Sequence, residues 1–323
     1  MGASSVSRKQ KNEFNKIKSN NIFKNLKNKY IIEKIFDNLL KNKSLDIIKY
    51  NKKIQKRINV NINNYKNYHD IYSSIELEII PVNSKNDKFI NIKENDTKYY
   101  HIYFNDNEED IKWNCLNKKE KINKIRIIID SEVKSFENLF YNCKCIESIC
   151  FKKFYRNDIN NMAFMFSGCS SLTELNLPSF NTTNVVDMGS MFYGCSSLKK
   201  LNLSNFNTIN VVYMRGMFSR CSSLKELNLS NFNTNNVVDM GCMFYNCSSL
   251  KELNLSHFNT DNVVDMCRMF YGCSSLKELN ISNFNTYKVT TMYSMLYGCT
   301  DKLRKKIKQQ YKNIKNEAFY QLN

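Results

Sequence analysis

Cysteine is the residue in this chain whose number and spacing could do chemistry. There are twelve cysteines, and seven of them (Cys143, Cys169, Cys195, Cys221, Cys247, Cys273 and Cys299) recur at every twenty-sixth position without a slip. A structural zinc site needs paired Cys-x-x-Cys ligands or accompanying histidines. The histidines number only three, His69, His101 and His257, and stand far apart. Cys143-x-Cys145 with Cys150 is the one local cluster. Glu108, Glu109 and Asp110 form an acidic loop without a glycine or a cation-ligand spacing. No nucleophile–base pair or glycine-rich phosphate loop stands out. The reading is a non-enzyme with no metal and no cofactor, in which the cysteine column is a small apolar filler at an inner corner. Cys242 and Cys267 fall outside that column and are the expected exposed thiols.

A fixed period of this length marks a solenoid, in which each repeat is one supersecondary unit stacked on its neighbours. Residues 184–208 serve as the model coil. Val185, Met188, Met191, Phe192 and Cys195 lie on one face at helical spacing, and Asn184 and Asp187 suit an N-cap and capping box. The column Asn142, Gly168, Gly194, Arg220, Asn246, Gly272, Gly298 suits a left-handed residue just past a helix. Arg220 is the exception there, which predicts a strained turn. Leu198-x-x-Leu201-x-Leu203 reads as a short strand with Leu201 and Leu203 inward. Stacking then makes an aromatic spine of Phe180, Phe206, Phe232, Phe258 and Phe284. The asparagines at 181, 207, 233, 259 and 285 are expected to bond loop backbone that no sheet partner satisfies.

The fold class expected is an α/β repeat solenoid, a short strand plus a short helix per coil, with a helical N-terminal segment and a small β-rich cap region. The divisions are 1–20, a basic arm; 21–60, a helical segment; 61–120, the β-rich cap region with strands expected at 75–80, 88–92 and 99–104; 121–299, the solenoid; and 300–323, a capping helix. In that last helix Leu303, Ile307, Tyr311, Ile314 and Ala318 recur at helical spacing.

The phrase Met191-Phe192, Cys195-Ser196-Ser197-Leu198, Leu201-Asn202-Leu203-Ser204 and Phe206-Asn207-Thr208 resembles the BspA-like class of leucine-rich repeat, over about residues 139–299 and in decayed form from about 125. The resemblance implies an interaction protein. Members of that class resemble cell-surface adhesins that carry export signals or lipid-attachment cysteines at the N-terminus. Neither is visible here, so the surface location does not carry over. Residues 30–57, with Ile31-Ile32, Ile35-Phe36, Leu39, Leu45 and Ile48 ahead of Lys49-Tyr50-Asn51-Lys52-Lys53, resemble an F-box without its early proline and later tryptophan. That resemblance implies the alternative function, a substrate adaptor of a ubiquitin ligase.

Charge is concentrated at the ends. The net charge is +18, of which residues 1–60 carry 16 Lys and Arg against 4 Asp and Glu, and residues 301–323 carry 7 against 2. Gly2 behind Met1, followed by Ala3, Ser4 and Ser5, resembles an N-myristoylation signal, with Val6 where the pattern wants Ser or Thr. Arg8, Lys9 and Lys11 behind it suit an anionic membrane surface. Nucleic acid is disfavoured, because aromatics are scarce in the first 20 residues. No signal peptide or apolar span is recognisable, so the expected location is intracellular, cytoplasmic or peripheral to a membrane.

The expected function is therefore a non-enzymatic protein–protein interaction module. The strand face is polar and monotonous, with Glu174, Lys200, Glu226, Glu252 and Glu278 beside an asparagine column. Binding hot spots favour aromatics and arginine. Those gather on the opposite side, at Tyr193, Tyr213, Arg215, Tyr245, Arg268, Tyr271, Tyr293 and Tyr297, where the copies also differ most. These are the candidate partner-binding residues, and the partner is a protein.

Overall fold

A computed structural model describes residues 73–82, 87–117, 121–178 and 180–321. The chain divides into two compact units, Met1–Ser73 and Ser74–Asn323. Gly2, the basic arm and the F-box-like segment 30–57 lie outside the described residues.

The second unit begins with a sheet. β1 (Ile75–Pro81) alternates buried and partly exposed residues, as a half-buried strand should. It pairs antiparallel with β3 (Ile125–Ile129) on one side and β4 (Ile146–Lys153) on the other. β2 (Tyr100–Phe104) pairs with β3, and β4 pairs parallel with β5 (Glu174–Asn176). The order β2-β3-β1-β4-β5 carries the chain from an antiparallel cap into parallel coils. The strand expected at 88–92 is absent. Lys88 makes one bridge to Cys115 and Phe89 and Ile90 are buried by packing instead.

The coils correct the helix expectation. Residues 184–195 contain no helix and form a run of tight turns. The hydrogen bonds give the reason. The N–H groups of Met188, Ser190, Phe192 and Gly194 donate to the carbonyls of Tyr213, Arg215, Met217 and Ser219 in the next coil. The N–H groups between them, at Met191, Tyr193 and Cys195, close four-residue turns onto Met188, Ser190 and Phe192. Every second donor is thus spent between coils, and none is left for an i to i−4 ladder. The turns 188–191 and 192–195 have a left-handed third residue. Two columns supply it, at Asn138, Phe164, Ser190, Gly216, Cys242, Arg268, Ser294 and at Asn142, Gly168, Gly194, Arg220, Asn246, Gly272, Gly298. The second column is the glycine and asparagine series seen in the sequence. Arg220, at φ 59, is not the lone strained turn, because Phe164, Cys242 and Arg268 are held the same way.

The capping roles are also reassigned. Asp187 accepts from Gly189 N–H at 2.8 Å, closing a turn within its own coil, and Asn184 donates to Asn157 O of the preceding coil. The strand of each coil is regular only in places. β5 pairs with β4, and β6 (Glu252–Asn254) pairs with β7 (Glu278–Asn280). The equivalent residues 200–202 and 226–228 form no strand.

Two aromatic stacks run along the core. Phe180, Phe206 and Phe232, three of the five members of the expected spine, stack at 5.5 and 6.4 Å. A second stack, unanticipated as such, joins Phe140, Phe166, Phe192, Phe218, Phe244 and Phe270 at 5.6 to 5.7 Å. Helix α1 (Asp301–Gln310), capped by Thr300, ends earlier than predicted. Beyond it Glu317 O, Ala318 O and Tyr320 O accept from Ser294 and Leu296, finishing the last coil as a further coil would.

Candidate functional site

The cysteine column sits at the centre of the stack. Cys169, Cys195, Cys221, Cys247, Cys273 and Cys299 each donate a thiol hydrogen bond, at 3.0 to 3.2 Å, to the carbonyl of the stacked phenylalanine one coil earlier. Burial pushes these thiols up, that of Cys299 to about 12 and the five between 169 and 273 well above the ordinary value. A thiol with a raised pKa is a poor nucleophile and a poor metal ligand at neutral pH. Among the described residues no group of three or more His, Cys, Asp and Glu is placed to hold a metal ion. The expected exposed thiols are partly corrected: Cys242 is half-buried, Cys267 is buried, and the exposed cysteine is Cys115.

The asparagines and threonines are structural as well. Asn181, Asn207, Asn233, Asn259 and Asn285 each accept from the N–H two residues on. Thr182, Thr208, Thr234 and Thr260 are buried and each donate to the carbonyl of the next coil's asparagine at 2.8 to 2.9 Å. This hydroxyl ladder was not read from the sequence. Its signal was the Thr at the end of each Phe-Asn-Thr triplet.

The candidate binding residues separate into two groups. Tyr245 stacks on Tyr271 at 4.9 Å, and Tyr271 meets Tyr297 at 5.3 Å. Tyr193 belongs to the same column but is separated from Tyr245 by the coil that carries Ser219. Arg220 bridges that interval, 5.6 Å from the Tyr193 ring and 5.9 Å from that of Tyr245. Tyr193, Arg220, Tyr245, Tyr271 and Tyr297 therefore make one partly exposed stripe on the turn face. Beside Arg220 lies a hollow of about 680 Å³ lined by Tyr193, Gly194, Ser196, Ser222, Asn246 and Ser248. Arg220 was noted in the sequence only as an anomaly of the turn.

The second group lies on the preceding part of each coil. Arg215 crosses two coils to reach Asp239 at 3.5 Å and Asp265 at 2.6 Å. Burial alone would lower its pKa, but the hydrogen bond it donates to Asp265 and the charges of the two carboxylates raise it. Arg268 lies over the Tyr293 ring at 5.7 Å. Tyr213 is 47% exposed, near Val186 at 42%. These residues flank a ladder in which Val212, Val238 and Val264 donate to Val186, Val212 and Val238.

The strand face has a feature that sequence reasoning passed over. A groove of about 770 Å³ lies at its C-terminal end, between Glu226, Glu252 and Glu278 and a wall of Lys306, Gln310 and Tyr311. It opens where the coil strand is irregular, so that Leu227 is only partly buried. Lys306 neutralises Glu278 at 2.5 Å. The wall comes from the C-terminal cap, and nothing in the repeat period places it there.

This geometry defines a class: a repeat solenoid whose coils are closed by turns and stitched by asparagine, threonine and cysteine columns. Residues 134–228 and 214–321 both match the family described as Mycoplasma protein of unknown function, DUF285. The match spans more than half of the chain, and the chain belongs to that family. Among solved structures, a T. pallidum leucine rich repeat protein is 19% identical, covering 55% of this chain and 75% of that chain at a TM-score of 0.35. A leucine-rich repeat protein from Bacteroides ovatus is 16% identical, covering 62% and 88% at a TM-score of 0.20. Comparison with curated proteins finds no match. No helix among the described residues is long and apolar enough to cross a membrane.

Proposed function

We propose that this protein is a non-enzymatic protein-interaction module and that its turn face receives the partner. The observation that carries the reading is the continuous stripe of Tyr193, Arg220, Tyr245, Tyr271 and Tyr297. Its rings are held rigid by their neighbours, so little side-chain entropy remains to be lost on binding. A photo-crosslinking amino acid at position 245, compared with one at position 254 on the strand face, tests it. Partner adducts from 245 and not from 254 are expected. Adducts from 254 alone would move the site to the groove beside Glu252, the second reading, which the partly buried Leu227 in its lining favours.

The proposal includes attachment to an anionic membrane through an acylated Gly2, helped by Arg8, Lys9 and Lys11. One acyl chain binds marginally and needs such a second signal. Intact mass of the native protein checks it, because a bare N-terminus leaves a soluble binder. The adaptor alternative rests on residues 30–57. A pull-down with residues 1–60 that recovers no ligase subunit ends it.

A further inference from the structure

The solenoid supplies its own control. Five coils place tyrosine followed by glycine or asparagine at one corner, at Tyr141-Asn142, Tyr193-Gly194, Tyr245-Asn246, Tyr271-Gly272 and Tyr297-Gly298, and one coil has Ser167-Gly168 there. The coil between those of Tyr193 and Tyr245 places Ser219-Arg220 there. The two departures act together. Ser219 is buried at 2% exposure and contributes no ring, which leaves the hollow of about 680 Å³. Arg220 spans the interval, in a left-handed conformation at φ 59 that glycine would adopt without cost.

The other arginines of the coils and their caps are mostly matched to carboxylates. Arg215 has Asp239 and Asp265, Arg156 has Asp158, and Arg304 has Asp301. Arg220 has no carboxylate within ion-pair distance among the described residues, and no acidic side chain lines its hollow. Two tyrosine rings hold it instead. Ring contacts engage the faces of a guanidinium and leave its in-plane N–H fork free, and that fork matches a carboxylate. Of the serines in its lining, Ser196 and Ser248 donate their hydroxyls to Ser170 O and Ser222 O at 3.4 Å, which leaves the Ser222 hydroxyl as the further donor to an oxyanion.

We propose that this hollow is an anion-accepting subsite that takes a Glu or Asp side chain of an acidic peptide segment on the partner. This rests on the turn-face reading and names the chemistry the partner must bring. An exposed guanidinium held between rings, without a counter-charge, is an arginine whose charge the fold does not use.

The test uses the full chain and a fluorescent blocked peptide of alternating Gly and Glu, with its Gln counterpart as control, followed by anisotropy at fixed salt. Because the ends of the chain are basic, Arg220→Gly is compared with Lys199→Gln, which removes one charge elsewhere. Glycine is the residue of this column at Gly194, so Arg220→Gly keeps the turn. The Glu peptide should bind Arg220→Gly roughly tenfold more weakly than wild type, the scale of one lost charge-assisted pair. Lys199→Gln should change it less than about twofold, the scale of an exposed charge. The Gln peptide should not distinguish Arg220→Gly from wild type. Equal losses in the two variants, or none in Arg220→Gly, overturn the subsite. If Arg220→Gly discriminates while a Tyr245→Ala/Tyr271→Ala protein still captures its partner fully, the subsite stands and the stripe reading falls. If only the double variant loses capture, the stripe stands and the subsite falls.

Discussion

Each side chain in a repeat column answers to the coil above and the coil below. The buried cysteine fits because it is small and its thiol still reaches a phenylalanine carbonyl one coil back. Native alkylation with iodoacetamide, read by peptide mass spectrometry, should modify Cys115 first and Cys242 more slowly. The column at Cys169 to Cys273 should stay unmodified until the chain is unfolded, because burial suppresses both access and thiolate. Rapid labelling of that column in the folded protein would contradict its packing role. Glycine is required where the backbone is left-handed. At Gly272, φ is +69 and an added Cβ would meet Asn246 Oδ1, so Gly272→Ala should cost about 1–2 kcal/mol. Gly189 lacks a left-handed backbone and its Cβ would meet nothing nearer than 3.1 Å, so Gly189→Ala should cost less in a parallel denaturant titration.

At the scale of the element, the coil is held by ladders between neighbours more than by bonds within itself. Thr208 both donates to Asn233 O at 2.8 Å and accepts from Asn233 N–H at 2.7 Å. Thr208→Val preserves shape and orphans both backbone groups, so a loss of about 1–3 kcal/mol is expected in chemical denaturation. The cap sheet has its own electrostatic latch. Burial pushes the Asp158 carboxyl up, but hydrogen bonds and charge from Arg156 and Lys134 outweigh it and hold the pKa below the usual value. A lowered folded pKa stabilises above the unfolded carboxylate range, and that contribution is lost as pH falls through the folded value. Acid titration should therefore loosen the Arg156 contact region below about pH 4, and Asp158→Asn should flatten that limb of the stability profile. The period, the inward residues and the left-handed column at Gly194 were all legible in the sequence. The helix was not, because Val185, Met188, Met191, Phe192 and Cys195 have one spacing whether they line a helix or a run of turns. Only the destination of the intervening N–H groups decides between the two, and that destination is in the next coil.

For the whole molecule, stability is a sum of coils and interfaces, and the ends must be closed. The sheet of β1 to β4 closes one end, and α1 with residues 313–320 closes the other. Deleting residues 300–323 should expose the last coil's donors and its Met295–Leu296 core. Oligomers or aggregates in light scattering are the expected result, and a stable monomer would show the cap dispensable. The same cap builds the wall of the strand-face groove, a feature that no single repeat encodes. The stripe on the turn face was half legible. Its tyrosines repeat and were singled out, whereas the part of Arg220 depended on a ring contact across 52-residue-distant coils at Tyr193 and Tyr245.

The claim that the turn face is the working surface is tested most directly on a partner recovered by the position-245 crosslink. Its affinity is measured for wild type, for Tyr245→Ala/Tyr271→Ala and for Asn228→Ala/Asn254→Ala, with circular dichroism confirming that each variant is folded. The account predicts a loss of roughly a hundredfold or more for the tyrosine pair, the scale of two aromatic hot spots, and little change for the asparagine pair. Undiminished binding by the tyrosine variant, with loss in the asparagine variant, would contradict it.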